Sequence, residues 1–450
     1  MNDELVLSAG VGKIDITPPL GKHVQGGLED KGTQFVFEKL YAKALVFDNG
    51  REQLVLITSD LIGVSPELTA AIRKGVAKIL KGIKPANIMV SATHTHCGPV
   101  ILPKLIGEGT PDSKYLRSLQ EKMVQAVSQA ISNLEPVKIG RGLGQAFFNI
   151  NRRLKTPKEI LFAPNPKGVC DREVGVIRID TLKGDPKAIL FNYTCHPTTM
   201  GGAFTSPDYP GFAQKTIEAK HKNKVVALFT NGACGDIRPC TTKGKTPKTF
   251  GGGTKFWVKK LGMTLGNEVL RVARTIQTKP VGTLKSASVK MALPLAKPAS
   301  VSALTKEIRD TQDRIKLYKA EKRSAAYLLY EGIGLSWAKN TLRLIRNKKF
   351  PKTVQVEAQI FQIGDLNLVG LAGEIFCDIG LAIKKMFRPQ KSFVVGYANG
   401  DIGYIPTAKA VLEGGYETDR SFKSYNVSAG FSTKVEKIVL NTVKELHEKL

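Results

Sequence analysis

Apolar and polar residues follow two different periods along this chain. A period of two, in which every second side chain points to the same face, marks strands at 42–48 and 53–59, with Asp48-Asn49-Gly50 between them as a hairpin turn. A period of 3.6 marks helices at 66–80 and 112–134, and the short apolar run 87–93 between them reads as a strand. Strand signals follow at 137–150, 174–180 and 188–194, then a helix at 212–221 and an apolar strand at 225–230. The Lys-, Thr- and Gly-rich stretch 241–256 (TTKGKTPKTFGGGTKF) reads as a mobile surface loop, and a helix then runs to about Ile276. After strands toward Pro294, residues 302–346 have the charge and spacing of a helical hairpin, with Gly332-Ile333-Gly334 as its turn. Strands return at 354–364 and 366–369, followed by a helix at 376–387. In the last helix Thr433 and Glu436 form a capping box, and Val435, Ile438, Val439, Val443 and Leu446 an apolar stripe. This rhythm predicts the α/β class: a mixed β-sheet core with flanking helices, in one domain over 1–450 that carries the hairpin as an insertion.

Composition narrows the picture modestly. A chain of 450 residues with 42% apolar and 24% charged residues can bury a large core, and no apolar stretch approaches the roughly 20 residues that span a bilayer. The amino terminus, MNDELVLSAG, has no apolar signal region. The protein is therefore expected in the cytoplasm, or exported with its signal already removed. The net charge of +28 favours anionic partners. Yet the Lys and Arg residues are spread along the chain, without zinc-finger spacing or a base-reading motif. They read as a solvated basic surface, capable at most of weak association with anionic surfaces and not of sequence-specific nucleic-acid binding. The six cysteines form no CxxC pair and read as buried thiols.

Only six histidines occur, and three sit where strands end. His94 and His96 lie in Ser91-Ala92-Thr93-His94-Thr95-His96-Cys97-Gly98-Pro99, two apart, so that on a strand both imidazoles address one site. His196 lies in Thr194-Cys195-His196-Pro197-Thr198, with the proline closing the strand. Three imidazoles at strand ends suit a borderline-soft divalent ion such as zinc. His23, His221 and His447 fall in loop or helical surroundings and read as incidental.

These segments resemble the neutral, non-lysosomal ceramidases and their bacterial relatives. The resemblance begins at Gly10-Val11-Gly12-Lys13-Ile14-Asp15-Ile16-Thr17-Pro18-Pro19 and runs through the SATHTHCGP segment, Asn149-Ile150-Asn151-Arg152 and Cys195-His196-Pro197-Thr198. It continues through NGACGDIRP (231–239), Gly373-Glu374 and the stretch 399–417. It implies one zinc ion, or another divalent metal, held by His94, His196, Glu374 and Tyr404, with His96 facing the substrate or the reacting water. Arg152 falls where that family contacts the substrate's polar head. Asp208 and Asp236 are the candidates for carboxylates that orient the ligating imidazoles.

Two features depart from the family. Where the ceramidases carry an essential serine, this chain has Arg238, which cannot act as a nucleophile but can clamp a carboxylate or phosphate. The last helix is also expected to close the chain without a counterpart of their immunoglobulin-like carboxy-terminal domain. The expectation is thus a zinc-dependent hydrolase, amidohydrolase in type. It uses metal-activated water on an amide, ester or lactone of a small polar or anionic substrate. The alternatives are a true ceramidase and a catalytically silent metal-binding protein that recruits anionic polymers.

Overall fold

A computed structural model of the protein describes residues 6–22, 24–25, 32–102, 110–241, 249–251, 253–389 and 391–450. Half of the loop 241–256 (242–248 and 252) and His23 therefore lie outside the described residues. Two sheets pack face to face, with helices on both outer surfaces. The larger has eight strands, in the spatial order Val226–Asn231, Pro186–Tyr193, Glu173–Thr181, Glu135–Gln145, Ser8–Asp15, Tyr41–Asp48, Gln53–Ser59 and Ile88–Ala92. Its interior pairs are antiparallel, whereas the pair at each edge is parallel, so the sheet is mixed as expected. The smaller has four strands: Leu284–Pro294, Thr353–Ile363, Leu366–Leu371 and Lys391–Val395.

The period-two pattern decides which layer each side chain joins. Along Tyr41–Asp48, Ala42, Ala44 and Val46 pack against helices α1 (Pro66–Ile79) and α2 (Ser113–Ser132). Leu45 and Phe47 point the other way, onto Phe361, Ile363, Leu368 and Phe393 of the small sheet. Farther along the large sheet, Val174, Val176, Ile189 and Phe191 are covered by α3 (Asp208–Lys220) and α4 (Lys255–Thr275). The outer face of the small sheet is covered by α7 (Cys377–Met386) and the last helix, Val435–Glu448, while α5 (Val301–Ala320) and α6 (Ala325–Arg346) stand apart with a core of their own. Close layer packing explains Gly10 and Gly12: a Cβ there would stand 1.8 and 1.9 Å from the carbonyl oxygens of Ala130 and Ala126 on α2.

Several local expectations are corrected. The segment 137–150 is two strands, Glu135–Gln145 and Asn149–Lys155, because the chain leaves the large sheet after Gln145. It then joins Ile160–Asn165 and Ile237–Pro239 in a three-stranded sheet. Gly332 and Gly334 do not make the hairpin turn; α6 runs through them and the turn falls at 321–324. Packing of Trp337, Ala338 and Leu342 against Leu304 outweighs the modest glycine penalty of about 1 kcal/mol. Thr433 and Glu436 do not cap the last helix, which starts at Val435; the Glu436 carboxylate instead accepts from the Ala408 amide at 2.8 Å.

Candidate metal centre

The central strands end at one rim of the large sheet, and the chemistry gathers there. The strand Ile88–Ala92 stops before the HxH element, and His94 has φ of +70°, in the left-handed region that non-glycine residues seldom adopt. Strand alternation is therefore not what aims His94 and His96 together. A strained turn does so, with the His94 amide bonded to Leu61 O at 2.8 Å, and brings the two Nε2 atoms to 3.2 Å. His196 follows the neighbouring strand Pro186–Tyr193, its amide bonded to Ile237 O at 3.1 Å.

Backbone carbonyls, not carboxylates, fix the imidazoles. His94 Nδ1 donates to Ile62 O, and His196 Nδ1 to Cys234 O (2.6 Å) and Ile237 O (3.0 Å). A carbonyl oxygen only accepts, so each Nδ1 carries its proton and the Nε2 lone pair faces inward. The expectation that Asp208 and Asp236 orient the rings meets a different arrangement. Asp208 accepts from the amides of Met200 and Tyr209, and Asp236 from Asn151 Nδ2 and the Cys377 amide, both at 2.8 Å. These carboxylates tie together the loops that carry the histidines, because the converging strand-end carbonyls already occupy the Nδ1 positions. Burial raises both acids, Asp236 to about 6.

Glu374 lies at the centre, fully buried. Its Oε2 is 2.8 Å from His196 Nε2 and 3.4 Å from His94 Nε2. Burial works to raise its pKa, but the two imidazoles hold it well below the carboxylate range. Burial lowers His196 to about 3 and, with the neighbouring imidazoles, takes His96 well below its ordinary value. At His94 the Glu374 carboxylate outweighs burial and raises the pKa, so that this point between the two groups favours a positive charge, whether a proton or a cation. The ring atoms of His94, His96 and His196 that can bind a metal all lie within 4.8 Å of one another. Inward lone pairs facing a carboxylate oxygen repel unless a positive centre lies between them. That donor set fits a divalent ion, with Glu374 beside the three imidazoles.

Tyr404 enters differently. Its short strand, Tyr404–Ile405, pairs parallel with Glu374–Ile375. Its hydroxyl accepts from Arg152 Nη2 at 2.9 Å, and its ring stacks parallel to that of His196 with centroids 6.3 Å apart. Arg152 is held by Glu417 (2.9 Å), which also pairs with Arg153 (2.8 Å) from the single π-turn Tyr416–Arg420. Arg238 reaches the same cavity, of about 900 Å³, whose wall includes His96, Arg152, Phe162, His196, Arg238 and Tyr404. Cys97, next to His96, is buried with its Sγ toward Met200 O, and burial pushes the thiol up.

Sequence reasoning missed two tyrosines. Tyr425 donates to Glu374 Oε1 at 2.5 Å. Tyr397 stacks on His94, with centroids 4.0 Å apart, and its hydroxyl lies 3.5 Å from Glu374 Oε2. Tyr397 immediately precedes the 399–417 stretch; Tyr425 carries no local signal.

A buried cluster of three imidazoles and a carboxylate at the rim of a mixed sheet, open to a cavity, defines a candidate metal centre. The chain belongs to the neutral/alkaline non-lysosomal ceramidase family, whose N-terminal domain model matches residues 7–252, more than half of its 450 residues. It is 27% identical over 263 residues to the neutral ceramidase of Pseudomonas aeruginosa, covering 53% of this chain and 38% of that protein. It is 25% identical over 273 residues to neutral ceramidase A of Dictyostelium discoideum, covering 55% and 37%. The match thus spans under two fifths of each relative's length. The crystal structure of the Pseudomonas aeruginosa neutral ceramidase superposes with a TM-score of 0.75 at 20% identity, over 100% of this chain and 75% of that one. The single-domain α/β fold is therefore that of the ceramidases throughout. Among the described residues no helix is long and apolar enough to cross a membrane.

Proposed function

We propose that the protein is a zinc-dependent hydrolase that cleaves an amide, ester or lactone of a small polar or anionic substrate. The observation that carries this reading is the convergence of the His94 and His196 Nε2 atoms on Glu374 Oε2, with His96 Nε2 3.2 Å from that of His94 and the ligating atoms of all three rings within 4.8 Å of one another. His94, His196 and Glu374 would hold the ion, with Tyr404 as a fourth ligand. Bound there, zinc would supply a nucleophile at neutral pH by lowering the pKa of water from 15.7 to about 7.

The chain's own side chains provide the rest. His96 is neutral and half-buried at the cavity wall, placed to take a proton from the attacking water and return it to the leaving group. Arg152, locked by Glu417, presents its guanidinium beside Tyr404 to orient the substrate's polar end. Asp208 and Asp236 brace the loops beneath the imidazoles. The fixed carbonyl partners of His94 and His196 keep each ring in one tautomer, so no reorganisation is needed during turnover.

A second reading, cleavage of ceramide, is favoured by family membership. Arg238 at the family's serine position argues against it, and marks the chain as a bacterial-type relative without that serine. Metal analysis tests the first reading: about one equivalent of zinc in the purified protein, absent from His94→Ala and His196→Ala. A protein that neither contains nor takes up zinc would overturn it. Hydrolysis of a fluorescent ceramide at rates matching short polar amides would move the second reading ahead.

A further inference from the structure

The cations that line the cavity are not equally occupied. Arg152 faces Glu417 at 2.9 Å, Arg314 faces Glu331 at 3.0 Å, and Lys423 faces Glu307 at 3.6 Å. Of the two that pair with no carboxylate among the described residues, Arg420 is exposed and Arg238 is half-buried. The Arg238 guanidinium lies 4.1 Å from the centroid of the Phe250 ring and 5.7 Å from that of Phe162. One nitrogen, Nη2, donates to Thr198 O at 3.3 Å, while the buried Nε has no hydrogen-bond partner. Burial and the nearby Arg152 charge lower its pKa to about 10, so the group stays charged at neutral pH without a counter-ion of its own. A guanidinium over an aromatic ring keeps its N–H donors for other partners, and its planar fork matches a two-oxygen anion.

The position of Arg238 fixes what that anion is attached to. Arg238 follows Ile237, whose carbonyl accepts from both the amide and the imidazole of His196. It also pairs with Ile150, two residues before Arg152 on the neighbouring strand, so both arginines stand on one face of the three-stranded sheet. A carboxylate held there is close in the fold to the bond cleaved beside His96 and His196. The wall that α5 and α6 supply carries paired charges, Arg314 with Glu331 and Glu307 with Lys423, beside an apolar stretch. Helix α6 contributes Tyr330, Ile333 and Gly334, with Tyr416 nearby, and a Cβ built on Gly332 or Gly334 meets nothing within 4 Å. A cavity of about 900 Å³ stands at the upper end of the roughly 300–1,000 Å³ usual for small-molecule sites, more than a small polar amide fills.

We propose that the substrate is an N-acyl amino acid: its carboxylate is gripped by Arg238, its amide carbonyl lies at the imidazole end, and its acyl group runs along the wall supplied by α6. This rests on the hydrolase reading above and narrows it. Hydrolysis adds the hydroxyl of water to the acyl carbon, breaks the C–N bond and passes the other proton of water to nitrogen. The products are a carboxylic acid and the free amino acid.

The test compares N-lauroylglycine with its uncharged carboxamide, N-lauroylglycinamide, on the zinc-loaded protein. Binding is measured by calorimetry and turnover by release of the amine. Wild type is expected to prefer the carboxylate by about ten- to a hundred-fold, the range for charge-assisted hydrogen bonds, and Arg238→Gln to bind both alike. Equal binding of the two compounds by wild type, or binding of neither, overturns the proposal without reference to any variant. A preference that survives in Arg238→Gln places the carboxylate elsewhere, on the metal for example, and overturns it equally. The two readings fail separately. A preference lost in Arg238→Gln without turnover supports the carboxylate site and removes the hydrolase. Equal turnover of both compounds keeps the hydrolase and removes the carboxylate site.

Discussion

The protein buries two clusters of ionisable side chains, and they are built on opposite plans. Between the large sheet and α3, the Lys43 ammonium gives its three protons to three acceptors: Gln214 Oε1 (2.7 Å), Glu218 Oε1 (2.9 Å) and Ala227 O (2.7 Å). Glu218 also pairs with Lys13 at 2.6 Å, and Asp60 accepts from the Tyr41 amide at 2.9 Å. Donors and acceptors match within the chain, so this network is closed. At the imidazole cluster the Nδ1 atoms of His94 and His196 are equally well satisfied, but their Nε2 lone pairs face the Glu374 carboxylate. That cluster could hold a metal ion. Burial of charge alone does not distinguish function from structure; the mismatch of donors and acceptors does.

The largest effect that could break this contrast is His196→Ala. If the imidazole cluster is the open one, the variant loses zinc affinity by well over a hundred-fold, beyond the 10–100-fold typical of changes to groups that merely support a ligand. Its hydrolytic activity falls to background, while far-ultraviolet circular dichroism is unchanged. Unaltered zinc content measured by atomic absorption would make the cluster a second closed network.

Lys43→Met reverses the pattern. It leaves Gln214 Oε1 and Ala227 O without their donor and removes the charge that, with Lys13, holds Glu218 below its ordinary pKa despite burial. Breaking a buried ion pair from one side costs about 3–5 kcal/mol, and that loss is expected in urea unfolding with zinc content unchanged. A stability change under 1 kcal/mol would show that water replaces the ammonium and that the network is not closed.

Asp60 sharpens the same half of the contrast through pH. Burial raises its pKa to about 6, although the Lys43 charge opposes this, against an ordinary value of about 3.9. The folded state therefore holds the proton more tightly than the unfolded chain. This favourable contribution is full below about pH 4 and is lost as pH rises through about 6, amounting to about 2–3 kcal/mol. Asp60→Asn, which cannot titrate, should gain on wild type by about that amount between pH 4 and pH 7.5. Parallel stability curves for the two proteins would mean that Asp60 does not titrate in this window.

Sequence and structure agree where burial is local. The alternation in 42–48 assigns each side chain to one of two layers, and the last helix buries Val435, Val439, Val443 and Leu446 as its stripe requires. That the faces of two sheets meet is not legible, because strand periodicity is the same whether a helix or another sheet covers it. The Gly332-Ile333-Gly334 element misleads for a related reason: glycine weakens a helix by about 1 kcal/mol, and tertiary contacts of Trp337 and Leu342 exceed that. At the site, His94, His96 and Glu374 are visible as motif residues. What joins them is not, since the left-handed turn at His94 and the Ile62 carbonyl beneath it lie far apart in sequence. Tyr425 is the hardest to foresee, 51 residues from the carboxylate it touches.

Tyr425 also permits the finest test of the contrast, because it touches Glu374 on the side away from the imidazoles. Oε2 faces His94 and His196, while Oε1 is taken by the Tyr425 hydroxyl at 2.5 Å. Tyr425→Phe keeps the ring and its packing but removes that donor, so Glu374 loses a restraint on its orientation and no ligand atom. Zinc affinity should fall by about ten-fold, the low end of what supporting groups contribute, with unfolding in zinc-free buffer shifted by no more than about 1 kcal/mol. If stability falls without a change in affinity, the Tyr425–Glu374 bond belongs to the same structural plan as Lys43. If affinity falls alone, the donor shapes an open site, and the division between the two clusters extends to the residues that merely hold their members in place.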